Sequence, residues 1–334
     1  MIGFAARWTR RLVATAVLLF IITALLVWAM LRASLPQLDG DVNVLGLSAP
    51  VKIERDANGV PTLHAANRND LAFATGFVHG QDRFFQMDLS RRNSAGELSE
   101  LVGVVALEHD RRVRLHRFRA RAEKILADEG PQEIALLGAY AAGVNAALDA
   151  TGAKPFEYFV LGSEPKPWQP ADSLLVGYSM FLDLNDERAD RDVQRGFAAR
   201  VLAPDVFAFL YPEGTRWDAP IMGEARAELP VPGPELLDLR EFRLPTASLP
   251  PPADRLLPGS NNWAVSGALT GDGRAIIAND MHLGLRTPSV FYRARLKYIE
   301  QEVVDLTGVT LPGVPILVAG SNGHVAWAFT NSYG

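Results

Sequence analysis

Gly259-Ser260-Asn261-Asn262-Trp263 stands between a proline-rich tract and an alternating apolar run. Pro258-Gly259-Ser260-Asn261 has the composition of an ordinary turn. A second reading gives this backbone a chemical task. A chain cut before Ser260 would present a new N-terminus, with the hydroxyl as nucleophile and the freed α-amine as base. An α-amine titrates near pH ~8, so it accepts a proton at neutral pH where a lysine cannot. One residue would then hold both halves of an activated nucleophile. These five residues alone leave both readings open.

After Ser260 the texture is β. Trp263 and Val265 alternate with smaller residues, Gly271-Asp272-Gly273 turns the chain, and residues 275–278 return. This predicts a hairpin with Ser260 at its leading edge; Asn279 and Asp280 read as turn residues beyond it. Residues 289–297 and 303–307 are further strand candidates. Asn322-Gly323 between two apolar runs is a strong hairpin signal. Before Ser260 the periodicity is helical. Residues 131–151 start with Pro and place Ile134, Leu137, Tyr140 and Val144 on one face. Asn69-Asp70 reads as the cap of a helix carrying Leu71, Phe77, Phe84 and Met87, and Asp172 as the cap of one carrying Leu174, Leu175, Tyr178 and Phe181. His79, Asp82 and Arg83 read as a satisfied polar network within the first of these. Residues 51–53 form a short strand with Asp56-Ala57-Asn58-Gly59 as its turn. From Leu229 to Pro258 eight prolines and no periodicity mark a linker. Periodicity alone predicts an α+β chain.

Six segments carry a resemblance. They are VKIERDANGVPTLHA (51–65), GFVHGQDRFFQMDLSRRNSAGELSELVG (76–103), FEYFVLGSEPKPWQPADSL (156–174), GSNNWAVSG (259–267), ANDMHLG (278–284) and LPGVPILVAGSNGHVAWAFTN (311–331). In this order the chain resembles the penicillin acylase family of N-terminal nucleophile amidohydrolases over nearly its whole length beyond the first 40 residues. The resemblance implies a four-layer αββα sandwich and cleavage of the chain by itself between Gly259 and Ser260. It implies an acylase that hydrolyses a linear amide to a carboxylic acid and an amine. The expected organisation is a cytoplasmic n-region and membrane anchor, or a signal peptide, over 1–35, a mostly helical first-subunit region over 36–228, a linker or spacer over 229–259, and the start of a second subunit over 260–334. The sandwich is expected to be incomplete at the C-terminus.

The resemblance also assigns roles. Ser260 is nucleophile and, through its α-amine and one water, base. His282, at a position where family members carry Gln or His, orients that amine. The Asn331 backbone N–H is one oxyanion donor; the other, an Asn side chain, is expected beyond Gly334. Phe181 and Leu184 are candidates for the acyl pocket. Catalysis needs no cofactor, and a structural calcium ion is implied, with Asp192 as its match. Asp192 closes a run with five acids in residues 183–192, which Arg188 and Arg191 also allow as a solvated, ion-paired face. The partners are a small-molecule acyl amide and the chain's own two subunits. β-Lactam side chains, acyl-homoserine lactones and peptide-like amides all remain open as substrates. So does a second reading, a membrane-anchored relative or fragment without catalysis. No Ser lies in G-x-S-x-G, which argues against a conventional serine hydrolase.

Composition narrows the rest. A 48% hydrophobic, 21% charged chain is globular, and a net charge of −5 offers no electrostatic case for nucleic acid. The absence of Cys excludes disulfides, thiolate metal sites and a Cys nucleophile. Residues 12–31 are 20 residues without a charge, about 30 Å as a helix, which matches a bilayer core. Arg7, Arg10 and Arg11 precede them, so the body is expected on the far side of the membrane. The apolar run is longer than a signal-peptide core, and Leu31-Arg32-Ala33 is a poor cleavage site, so an uncleaved anchor is expected.

Overall fold

The computed structural model describes residues 2–185, 189–214, 222–224, 228–238, 240 and 259–331. Most of the proline-rich tract, 241–258, lies outside the described residues. Two compact units divide the chain: residues 1–184 with 259–334, and residues 185–258.

In the first unit the order begins α1 (Ile2–Ala33), β1 (Lys52–Arg55), β2 (Pro61–His64), α2 (Arg68–Ala95), α3 (Ser99–Val102), α4 (Leu107–Arg114) and α5 (Phe118–Asp128). It continues with α6 (Pro131–Asp149), α7 (Phe156–Leu161) and α8 (Pro170–Leu184). The second unit holds α9 (Asp190–Val201) and α10 (Pro204–Leu210). The first unit then resumes with β3 (Gly259–Val265), β4 (Ile276–His282), β5 (Tyr292–Ile299), β6 (Val303–Thr310), β7 (Leu317–Ser321) and β8 (Ala326–Trp327). The architecture is mixed helix and sheet, and α1 from Trp8 to Ala33 is long and apolar enough to cross a membrane.

Two helix caps differ from expectation. Asn67 caps α2: its backbone is extended (φ −154°, ψ 174°) and its side chain accepts the Asp70 N–H. Asn69 and Asp70 already lie in the first turn. The Asp70 carboxylate there accepts the Ser48 N–H at 2.8 Å and the Ser48 hydroxyl at 2.6 Å. Asp172 likewise sits inside the first turn of α8, from where its carboxylate reaches back to the residue before the helix. It accepts the Gln169 N–H at 2.8 Å and pairs with Arg91 at 2.6 Å and Arg119 at 3.3 Å. Neither α4 nor α5 was read from the sequence, where charged residues obscure their apolar positions.

Helices α2 and α6 approach until backbone meets backbone. A Cβ on Gly143 would lie 1.9 Å from the Phe73 carbonyl oxygen, and one on Gly76 2.1 Å from that of Tyr140. Around this crossing Phe84, Met87, Val144, Tyr158, Trp168 and Val176 form a core. Asp88 is fully buried in it, balanced by Arg91 at 2.7 Å, Arg92 at 3.0 Å and the Tyr158 hydroxyl at 2.6 Å. A buried carboxylate persists only with such compensation.

The six-stranded sheet runs β1-β2-β5-β6-β7-β8, with β2 parallel to β5 and the other neighbours antiparallel. Its inner face packs on α2 through Leu63, Leu71, Ala74, Val78, Tyr292 and Leu296. Strands β3 and β4 form a separate two-stranded ribbon. In the second unit Ala198 and Val206 are buried, and Phe207 stacks on Tyr211 with centroids 5.2 Å apart.

Candidate active site

In the β3–β4 ribbon Gly259 pairs with His282, Ser260 with Met281, Asn261 with Asp280 and Asn262 with Asn279. Directly opposed residues share a face and successive residues alternate. Ser260, Asn262, Asn279 and Met281 therefore face one side, and Asn261, Asp280 and His282 the other. Asn279 and Asp280 are strand residues, not the turn residues expected. The hairpin turn closes earlier, around Gly273 (φ +75°), and β4 runs on to His282.

The half-buried Ser260 hydroxyl oxygen accepts the Asn331 N–H at 2.5 Å. Several contacts bring Asn331 there. At the β7–β8 turn the Asn322 side chain accepts the N–H groups of His324 at 3.0 Å and Val325 at 2.7 Å. The Trp327 indole N–H donates to the Leu317 carbonyl at 3.0 Å. Beyond β8 the Asn279 Nδ2 donates to the Phe329 carbonyl at 2.9 Å and to the Asn261 carbonyl at 3.2 Å. Finally the Asn331 Nδ2 donates to the Leu184 carbonyl at 3.2 Å. Residues 329–331 thus lie across the Ser260 face of the ribbon.

Ser260 and Asn331 are brought together; the other sequence candidates stand apart from the hydroxyl. The His282 ring lies on the opposite face, with Nε2 3.0 Å from Asp280 Oδ2 and 3.3 Å from Asn261 Nδ2. One nitrogen cannot serve both: carrying a proton it donates to the carboxylate, and bare it accepts from the amide. Through its pairing with Gly259, His282 adjoins the residue before the nucleophile. Leu184 contributes its carbonyl to the Asn331 contact. Phe181 is half exposed and meets Phe118 edge-on at 6.3 Å between centroids.

An open cleft of about 890 Å³ in the first unit is lined by Arg83, Phe85, Gln86, Asn93, Asp183 and Arg286 among others. None of Ser260, His282, Asn331, Phe181 or Leu184 lines it, so this cleft is not at the nucleophile. Asp192 is exposed on α9. Among the described residues no group of three or more His, Asp or Glu side chains could hold a metal ion. The implied calcium thus finds no ligand set there; residues 186–188 of the acidic run lie outside the described residues. Asn279, a weaker candidate in the sequence and read there as a turn residue, joins the site. Its only signal was register: counted from the Gly271–Gly273 turn, it falls on the face of Ser260.

Comparison with known proteins identifies the family. The penicillin amidase family model matches residues 50–334. The penicillin acylase 2 proenzyme of Pseudomonas sp. (strain SE83) is 35% identical over 320 residues, covering 91% of this chain and 39% of that protein. The acyl-homoserine lactone acylase QuiP of Pseudomonas aeruginosa is 32% identical over 307 residues, covering 89% of this chain and 35% of that protein. The chain therefore spans well under half the length of these curated relatives. Among solved structures, a thermostable penicillin G acylase from Alcaligenes faecalis aligns with 53% of this chain and 98% of its own, at 25% identity and a TM-score of 0.43. With a family model spanning its last 285 residues, from Val51's neighbour Pro50 through the nucleophile candidate to Gly334, the chain belongs to the penicillin amidase family.

Proposed function

We propose that the protein is a self-processing acylase: it cuts its own chain between Gly259 and Ser260, then hydrolyses a linear amide to a carboxylic acid and an amine. The observation that carries this reading is the Asn331 N–H placed against the Ser260 hydroxyl at 2.5 Å. A donor beside the nucleophile is where the oxyanion of an acyl-transfer intermediate develops. In the uncut chain the Ser260 nitrogen is an amide without basicity. Attack of its hydroxyl on the Gly259 carbonyl shifts the acyl group from N to O and frees the amine, and water then cleaves the ester, releasing the Gly259 carboxylate and the Ser260 hydroxyl.

In turnover that amine takes the hydroxyl proton through one water as the oxygen attacks the substrate carbonyl, and gives it to the departing amine. The resulting ester is hydrolysed by water along the same path. His282, paired with Gly259, orients the freed amine. Phe181 and Leu184 contribute to the acyl pocket of a four-layer sandwich, and the two subunits stay associated after cleavage. The relatives' names, a penicillin acylase proenzyme and an acyl-homoserine lactone acylase, support processing and an N-acyl amide substrate. The uncharged run behind three arginines supports a membrane anchor with the body outside the cytoplasm.

The test is expression of the full reading frame with an acyl-amide panel and a denaturing gel. The parent should yield two chains split at Ser260, and Ser260→Ala one uncut, inactive chain. His282→Ala should still fold but lose about 10²-fold in turnover, the scale of a misplaced base. A second chain starting elsewhere by N-terminal sequencing rejects the assignment.

A further inference from the structure

We infer that Asn279 is a positioning residue for acyl transfer: its carboxamide NH2 clamps the segment bearing the Asn331 N–H onto the strand bearing Ser260. The inference rests on the reading of Ser260 as the nucleophile. Among the described residues the β3–β4 ribbon shares no strand pairing with the six-stranded sheet, whose last strand ends at Trp327. Sheet hydrogen bonds therefore do not set the register between the hydroxyl and the N–H that meets it. Side-chain amides do. Asn279 Nδ2 reaches the Asn261 carbonyl, one residue past the nucleophile, and the Phe329 carbonyl, two residues before Asn331.

The orientation of this amide is forced. Both neighbours are carbonyl oxygens, so only the NH2 can face them, and its two hydrogens match two acceptors. The other end is left without reward: Asn279 Oδ1 is buried and has no hydrogen-bond partner. A buried unpaired carbonyl costs stability, and an apolar side chain of similar shape would avoid that cost. Stability therefore gains little from Asn here, because one orphaned oxygen offsets two hydrogen bonds, whereas alignment of a donor with the nucleophile requires the NH2. A shift of about 1 Å in such a group can cost about 10²-fold in rate.

The experiment compares Asn279→Asp, Asn279→Leu and Asn279→Gln with the parent and Ser260→Ala, all in the full reading frame. It follows precursor conversion on gels, kcat and KM on one hydrolysed acyl amide, and the unfolding temperature. Asp keeps the shape but turns oxygen toward both carbonyls. Leu removes the orphaned oxygen. The expected result is a fall of about 10²-fold in kcat, or in conversion rate where little mature protein forms, for both variants. KM should stay within about twofold, the Leu variant should unfold near the parental temperature because the lost hydrogen bonds are offset by removal of the orphaned oxygen, and Gln should recover part of the rate. Parental kcat in the Asp or Leu variant overturns the inference. So does a loss confined to KM, a loss that tracks the unfolding temperature, or variants that do not fold at all. If Ser260→Ala itself hydrolyses the amide, the nucleophile assignment fails instead, and the two failures are distinct.

Discussion

His79 shows how one residue's chemistry is settled by its surroundings. It is wholly buried, and both ring nitrogens are engaged. The Tyr140 hydroxyl oxygen already accepts the Gly313 N–H at 2.9 Å, so its own proton goes to His79 Nδ1 at 2.8 Å. The Nε2–H then donates to the Thr310 hydroxyl at 2.8 Å, whose proton goes on to the Tyr292 carbonyl at 3.0 Å. Every hydrogen has a place only if the imidazole is neutral. Burial, with the Arg83 charge nearby, pushes its pKa down from 6.5 to about 3. The unfolded chain therefore takes up the proton first. The neutral ring's contribution to stability is complete above pH 6.5 and is lost as pH falls from there toward 3. The slope approaches about 1.4 kcal/mol per pH unit in that window. His79→Gln should unfold more easily at neutral pH but show a shallower loss between pH 6.5 and 5. Parallel slopes for variant and parent in equilibrium unfolding would remove His79 as the cause.

At the scale of elements, the decisive contact is the α2–α6 crossing. The Phe73 carbonyl occupies the space where a Cβ of residue 143 would be, so even the smallest side chain forces the helices apart. Overpacking of this kind costs about 1–3 kcal/mol and more where backbone must move. Gly143→Leu is expected to cost at least about 3 kcal/mol. Gly138 lies on the same helix with nothing within 4 Å of its missing Cβ. Gly138→Ala should therefore stabilise by up to about 1 kcal/mol through helix propensity. Thermal unfolding of the two variants checks both signs. A tolerated Leu at 143 would mean that the helices pack less closely than the crossing indicates. The same crossing holds Tyr140 under Gly313, so this contact also supports the turn between β6 and β7.

At the scale of the molecule, helix α1 is exposed along its apolar length, with Leu19, Phe20, Leu25 and Trp28 more than half exposed. Such a surface is stable against lipid and costly against water. The protein is expected to stay in the membrane fraction after a high-salt wash, and deletion of residues 1–33 to release it. Recovery of a soluble body beginning near Ala33 or Ser34 would identify a cleaved leader instead.

Some of this was legible in residues alone. The apolar N-terminal helix, the Pro131 helix and the β3–β4 and β7–β8 hairpins follow from local patterns: an uncharged run, a proline at a helix start, Gly-Asp-Gly and Asn-Gly turns. Such signals depend on neighbours within a few positions, so the chain carries them openly. The sequence places the α2 cap at Asn69-Asp70 and not at Asn67 because these residues are chemically alike, and only the backbone conformation and the Ser48 contact choose among them. The parallel pairing of β2 with β5 was invisible, since it joins residues more than 200 apart. The meeting of Ser260 with Asn331, across 71 positions, was expected from family likeness and not from pattern. What only the tertiary structure decided is how that meeting is held: two side-chain amides, Asn279 and Asn331, span elements that no strand pairing connects among the described residues. A polar residue's partner is chosen by the path of the whole chain, and no local propensity records it.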